Sequence, residues 1–597
     1  MKKETPVKSM TRRDFIKTVA VLGAAASTPS ILMSCGSSSG TSNSTQTPDV
    51  IYYNAKIITL DKANTIASAV ALKDGNFIAV GGNDQIKALA GTATRLVDLG
   101  GKTVVPGFMD AHTHPMETAM MAITWVNCRY PEVSTVAQAL KNIADWIKNK
   151  AVKSGDWVYA AGSSASQNKF AEKRLPTKAE LDAVAPNNPV AFANGTHMTI
   201  INSAAIVTLK IQPGQKALPR GGTIQLDPIT GVPTGTLTDA MGDIPLTLTT
   251  EQITSFYTKD IPTIWNRWGF TSVMAITPDN AVAALQAIAK SGFKSTIRYT
   301  VSVWKGANAV EMPSDLSTFA MPANADSTRY RFSCIKVWVD GENDARTGYM
   351  NQPYIGSFTT DPPGNVGSPV LDQNAINTFV NIAKQNNIIP MLHVAGDRAM
   401  DMGLEAYETL VKAGKNPKIF RLEHFGVFQM YPSHLQRAKQ LFGSGLKINV
   451  QPTWMLNLLQ SDFDNMGPER ASTGFLFRSM IDAGLEPAAG SDVTGIYPDN
   501  VNPFLGIYAA VTRSSDSPAN SPFLPAEAVS VTEALKMWTI WAARSLGEDL
   551  VKGTIEAGKY ADMAVLSDDV LTINPANLKS VTVLKTIMAG EVVYSAG

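Results

Sequence analysis

Two styles of hydrophobic patterning divide the chain. Near both ends the apolar residues come in short runs broken by Gly, Asp and Asn. "DVIYYNAKIITL" (residues 49–60) is dense in strand formers, and "AVALKDGNFIAVGG" (69–82) predicts a hairpin turning at Asp74-Gly75. "RLVDLGGKTVVPGF" (95–108) predicts another short strand pair. "GTIEAGKYADMAVLS" (553–567) and "SVTVLKTIMAGEVVYSAG" (580–597) repeat the style at the far end. Two β-rich ends around a long middle suggest one β-sandwich built from both, over residues 49–104 and 550–597.

The middle follows a different rhythm. "VAQALKNIADWIKNK" (136–150), "NAVAALQAIAKSG" (280–292), "NAINTFVNIAKQNN" (374–387) and "AMDMGLEAYETLVKAG" (399–414) carry apolar residues three and four apart, the helical period. Between the helices lie short apolar segments: "GFTSVMAI", "FSCIKVWVDG", "IIPMLHVAG", "IFRLEHFG", "LKINVQP" and "LEPAAGSD". Strand–helix alternation over this length predicts a parallel α/β architecture. A (β/α)8 TIM barrel over residues 105–549, with an insertion around 130–260, is favoured over a doubly wound sheet. No Gly-rich phosphate or dinucleotide fingerprint follows any of these strands, and no internal repeat is visible.

The first 35 residues read as an address. "TRRDFIK" sets Arg12-Arg13 before the short apolar stretch "TVAVLGAAAS", the pattern of twin-arginine export. The stretch is too short to span a bilayer stably, although an uncleaved anchor helix is the alternative. "LMSC" resembles a lipobox, with Cys35 as the lipidated residue, and residues 36–48 form a Ser/Gly/Thr-rich tether. The expectation is a lipoprotein anchored to a membrane through Cys35, facing the periplasm or the cell exterior.

Bulk properties narrow the remainder. The chain has 597 residues, more than one simple core usually holds. Its 52 Lys+Arg nearly balance 51 Asp+Glu, which argues against nucleic acid as a partner. Three cysteines, one of them Cys35, leave the fold to rest on burial rather than crosslinks. The expected partner is a small-molecule substrate, and a homodimer is compatible with the sequence.

The chemistry lies in where the polar residues fall. "VVPGFMDAHTHP" (104–115) ends a candidate strand with His112 and His114, which alternation puts on one side. His393 ends "IIPMLHVAG", His424 ends "IFRLEHFG", and Asp492 ends "LEPAAGSD". Four of the chain's six histidines thus fall at strand ends, in strand order. Each has a plainer reading: a polar turn, a satisfied core histidine, an ion-paired surface residue beside Glu423, a helix cap for Asp492. Lys336, on the apolar strand "CIKVWVDG", is harder to dismiss, because burying an unpaired ammonium is costly. Conversion to a carbamate would turn it into an anionic bridge between metals. In a barrel, these strand ends converge on the face that carries active sites, which makes a site for one or two divalent ions, zinc being the expected metal.

With these motifs in order, the sequence resembles the amidohydrolase superfamily, in its family 3 branch. Further segments carry the likeness: "LPTKAELDAVAPNNPVAFANGTHMTIINSAAI", "GVPTGTLTDA", "HVAGDRAMD", "NPFLGIYAAVTR" and "GTIEAGKYADMAVL". The resemblance implies a metal-dependent hydrolase. His112 and His114 would be first-strand ligands, Lys336 a carboxylated bridge, and His393 and His424 ligands of strands five and six. Asp492 would bind metal and handle the proton of the attacking water. His197, Asp340, Asp397 and Arg398 would face substrate or support the ligands, with His197 also stabilising the oxyanion. Two segments depart from the branch. "YAAGSSASQNKF" lacks its usual tryptophan, and "DGENDARTGYM" is bulkier and more acidic, so Glu342, Asp344 and Arg346 are expected to reshape the pocket. The expected reaction is hydrolysis of a non-peptide or N-substituted C–N bond in an amide, formamide or cyclic amide. The alternatives are isomerisation or deamination on the same scaffold, or a lipoprotein that only binds a ligand.

Overall fold

The computed structural model describes residues 46–163, 166–195, 198–219, 222–240, 242–246, 248–304, 312–355, 363–414, 418–494 and 498–597. The export signal, Cys35 and His197 lie outside them. Among the described residues no helix is long and apolar enough to cross a membrane.

Eight parallel strands form the barrel: β1 (Phe108–Thr113), β2 (Phe270–Pro278), β3 (Arg298–Trp304), β4 (Tyr330–Trp338), β5 (Ile389–His393), β6 (Phe420–Glu423), β7 (Leu446–Val450) and β8 (Ala488–Ala489). Neighbours pair in chain order, with β2 beside β1. Just past β8 the ring closes: Asp492 N–H donates to His112 O (2.8 Å) and His114 N–H to Val493 O (3.2 Å). This is a TIM barrel. Its strands read as near-continuous apolar runs because side chains on both faces are covered, inside by the barrel core and outside by helices. The helices expected from their period are present as Val136–Asn149, Asp279–Lys290, Gln373–Gln385 and Asp397–Lys412.

The two chain ends share a sheet. Thr103–Pro106 pairs antiparallel with Met563–Leu566, in a six-stranded sheet that continues through Val583–Met588 to Glu591–Ser595 on one side and Lys56–Ile58 to Ile66–Ala67 on the other. A four-stranded sheet, Asn76–Gly81, Ala69–Lys73, Val50–Tyr53 and Arg95–Asp98, packs against it. Tyr52, Leu72 and Phe77 meet Val104, Met563 and Ile587 in one core. The hairpin turns at Asp74 and Gly75, both with positive φ (48° and 76°). Both short strands expected within 95–108 form, Arg95–Asp98 and Thr103–Pro106, but they do not pair with each other. Gly100 and Gly101, at φ 59° and 74°, send Arg95–Asp98 and Thr103–Pro106 into different sheets.

A third sheet, of six strands from Val126–Asn127 to Pro233–Thr238, fills the chain between β1 and β2. Beneath the barrel, Arg298 at the start of β3 forms a two-pronged ion pair with Asp562 (2.8 and 2.9 Å), tying barrel to end sheet.

A candidate metal centre at the barrel mouth

His112 faces into the barrel from β1 and is wholly buried. Its Nδ1 lies 2.5 Å from Glu423 Oε2, at the end of β6. Arg421, two residues back on the same face of β6, grips Glu423 through Nε and a terminal nitrogen (both 2.8 Å) and also donates to Ala111 O. Both Glu423 oxygens accept from Arg421 and Oε2 accepts from the imidazole as well, so Nδ1 carries the ring proton and Nε2 presents its lone pair inward. There it meets Lys336 Nζ, 2.9 Å away, from β4.

The other ligand candidates gather around the same point. Asp492 Oδ1 lies 3.5 Å from His112 Nε2 and 3.4 Å from His114 Nε2, and Oδ2 lies 3.7 Å from His424 Nδ1. The rings of His112 and His424 are 4.8 Å apart between centroids, and those of His393 and His424 are 4.4 Å apart. His424 Nδ1 donates to Gln451 Oε1 (2.8 Å), and Gln451 is held by Asn449 of β7 (2.5 Å). Among the described residues, that leaves His424 Nε2 as a buried nitrogen with no hydrogen-bond partner. An imidazole lone pair buried without a donor is costly unless a cation meets it.

Asp492 reaches this point because the chain past β8 is pinned. At Gly490 a Cβ would fall 2.5 Å from His112 Cβ, so β8 can approach β1 only with glycine there. Asp110, on β1, accepts from Ser491 N–H (2.9 Å), Ser491 Oγ–H (2.6 Å) and Trp265 Nε1–H (3.0 Å). Asp492 itself takes a left-handed φ of 45°.

Burial sets the charge states. It pushes the imidazoles of His112 and His424 well below their ordinary value, and Lys336 lowers both further, so both are neutral near pH 7, as metal ligation requires. Burial lowers the Lys336 ammonium as well, opposed by Asp492, Glu423 and Glu342. Glu342 is raised well above the carboxylate range, by burial and then by Asp344, Asp492 and Asp340. Asp110 is pushed up to about 6 by burial, with its hydrogen bonds opposing.

His112, His424 and Asp492 offer ligand atoms within 4.8 Å of one another, and so do Glu342, His393 and His424. Three or more imidazoles with carboxylates suit a borderline divalent ion. The residues present fit such a group. His424 is buried rather than a surface residue, and among the described residues Asp492 caps no helix.

The supporting positions divide. Asp340 is buried, and its oxygens take the N–H groups of Ala395, Gly396 and Tyr349 (2.7–3.0 Å). Asp397 takes the backbone and side-chain N–H of Asn351 (both 2.9 Å). Both brace the loops around the mouth. Arg398 is exposed, its guanidinium 4.5 Å from the Tyr349 ring centre. Arg346 Nε donates to Asn465 Oδ1 (2.9 Å), anchoring the loop after β4. The sequence reading missed Glu423 with Arg421 and Asp110 with Ser491. Two charges at alternate positions of the short strand "FRLE" were the available signal for the first pair.

The family model for the amidohydrolase family matches residues 95–594. The chain belongs to the amidohydrolase family. Relatives cover nearly all of it. The N-substituted formamide deformylase of Arthrobacter pascens is 28% identical over 92% of this chain and 99% of its own length. The protein LONG AFTER FAR-RED 3 of Arabidopsis thaliana is also 28% identical, over 92% and 91%. In fold, the chain is similar to uncharacterized metal-dependent hydrolases of Pyrococcus horikoshii (TM-score 0.66, 21% identical, covering 88% and 99%) and Pyrococcus furiosus (0.65, 22%, covering 88% and 100%).

Proposed function

We propose that this amidohydrolase cleaves C–N bonds of small non-peptide or N-substituted amides, formamides or cyclic amides by metal-dependent hydrolysis. The observation that carries the reading is the convergence of His112, His114 and His424 on Asp492, with His424 Nε2 buried and unpartnered. His112, His114, His393, His424 and Asp492 would hold the metal, and zinc best suits this donor set. A divalent ion there supplies Lewis acidity and lowers the pKa of bound water from about 15.7 toward about 7.

This chain's residues supply the proton chemistry. Asp492 accepts the proton of the attacking water and passes it to the leaving nitrogen, acting first as general base and then as acid. Its carboxylate is about one-tenth exposed while His112 beneath it is sealed, so it can be reached from the mouth of the barrel. Glu423 fixes the His112 tautomer throughout. His197 is proposed, from the sequence resemblance, to stabilise the oxyanion. The formamide class is favoured by the similarity, over 92% of the chain, to a protein named N-substituted formamide deformylase.

Lys336 is proposed to be carboxylated. A neutral amine and CO2 give a carbamate and a proton, and the buried amine beside His112 Nε2 is where such a bridge would serve two ions. The test is 13C-labelled bicarbonate with carbon NMR, where a carbamate resonance absent in Lys336→Ala supports the bridge. Turnover is tested on a panel of N-formyl amines, N-acyl amino acids and aminated rings. Release of amine and carboxylate supports hydrolysis, ammonia from the rings supports deamination, and binding without turnover supports a ligand-binding role.

Export and anchoring are proposed from the sequence alone, on Arg12-Arg13 and on Cys35. Replacing both arginines by lysine should retain precursor in the cell, and Cys35→Ser should abolish lipid labelling.

A further inference from the structure

The loop after β4 holds a carboxylate that the metal ligands inferred from the sequence leave out. We propose that Glu342 is itself a metal ligand, joining His393 and His424 to hold a divalent cation at the barrel mouth. This rests on the metal-hydrolase reading above and adds a protein ligand to it.

Geometry carries the proposal. Glu342, His393 and His424 offer ligand atoms that all lie within 4.8 Å of one another, and Glu342 Oε1 is 3.8 Å from His393 Nε2. All three residues are buried, Glu342 with 8% of its surface exposed. Independently, among the described residues His424 Nε2 is a buried nitrogen with no hydrogen-bond partner, which leaves its lone pair open to a ligand. Two imidazoles and one glutamate form a known zinc ligand set.

The backbone around Glu342 is fixed in advance. At Gly341 a Cβ would fall 2.0 Å from Thr347 Oγ1, so the chain can turn this tightly only with glycine. Glu342 N–H then donates to Thr347 Oγ1 (3.0 Å), while Thr347 and Gly348 N–H donate to Glu342 O (3.0 and 3.1 Å). The loop is tied down further by Asn465 Nδ2–H on Asn343 O (2.7 Å) and by Arg346 on Asn465. Such bracing holds the buried carboxylate within electrostatic reach of Asp344, Asp492 and Asp340. Burying several carboxylates together is costly, and a divalent cation offsets that cost. His393 Nε2 donates to Gly341 O (3.0 Å); ligation through Nε2 moves the ring proton to Nδ1 and replaces that hydrogen bond by the ion.

The test is cobalt titration of the full chain, read by chelator competition and by visible d–d absorption, for wild type, Glu342→Gln, Glu342→Asp and His112→Ala. The expected result is a cobalt Kd raised at least about 10–100-fold in Glu342→Gln, with a shifted absorption band, and a smaller change in Glu342→Asp. Wild-type affinity and spectrum in Glu342→Gln, with His112→Ala impaired, would overturn the Glu342 assignment and leave the metal-hydrolase reading standing. If Glu342→Gln does not fold, Glu342→Asp decides, and a wild-type spectrum there overturns the proposal. A wild type that takes up neither cobalt nor zinc overturns both readings.

Discussion

Glu423 Oε2 lies 2.5 Å from His112 Nδ1, and Arg421 holds the same carboxylate from behind with two 2.8 Å hydrogen bonds. The three side chains are sealed from solvent, so the imidazole has one tautomer and one orientation open to it. Glu423→Gln should therefore weaken metal binding by about 10–100-fold while leaving the imidazole in place. Zinc affinity by chelator competition checks this, and unchanged affinity would mean that the pair only stabilises the barrel.

Gly490 is where β8 meets β1. A methyl group there would press on His112 Cβ at 2.5 Å and on the backbone of the same residue. Gly490→Ala should cost about 1–3 kcal/mol in urea unfolding and should also lower metal content, because the clash moves a ligand. A variant with normal metal content and normal stability would contradict this account of barrel closure.

The Arg298–Asp562 pair joins barrel and end sheet in buried surroundings. Burial alone would raise the Asp562 carboxyl, but Arg298 and the Ala589 N–H more than offset it and hold it below its ordinary 3.8. The folded state thus binds its proton more weakly than the unfolded chain. Its stabilisation is complete above the ordinary carboxylate value and is lost as pH falls through the lowered one, in the region below about pH 4. Asp562→Asn should lower stability by about 3–5 kcal/mol at neutral pH, since it strands a buried guanidinium, and should flatten the acid limb of the stability curve. Thermal melts across pH for both proteins test this.

Cys128 and Cys334 are free thiols and fully buried, and burial pushes them up to about 12 and about 11. Both should resist iodoacetamide in the native protein at pH 8 and react fully in denaturant, as read by mass spectrometry. Rapid native labelling of either would show that its cluster opens readily.

Much of the barrel and its ligands was legible in the sequence for local reasons. The helical period over 374–387 and 399–414 marks Gln373–Gln385 and Asp397–Lys412 without knowledge of what they pack on. His112, His393 and His424 stand out because each falls at the end of a short strand, His393 after a wholly apolar one. What remained hidden depends on closure. Glu423 meets His112 across 311 residues, and Asp110 meets Ser491 across 381, so neither pairing leaves a local trace. The six-stranded sheet of the insertion was illegible for a related reason. Thr223–Leu226 has only four residues and Pro233–Thr238 is rich in Thr, Gly and Pro, and it is their pairing with each other and their neighbours that defines them.

Asp492 is the residue proposed to move protons in a metal-dependent hydrolysis. The most direct test of that role is the rate of amine release from an N-formyl amine by wild type and Asp492→Asn, compared at equal bound metal. The account predicts that metal-loaded wild type releases amine and formate in equal amounts, and that Asp492→Asn is slower by about 10²–10⁴-fold. Equal rates in the two proteins at equal metal content would contradict it.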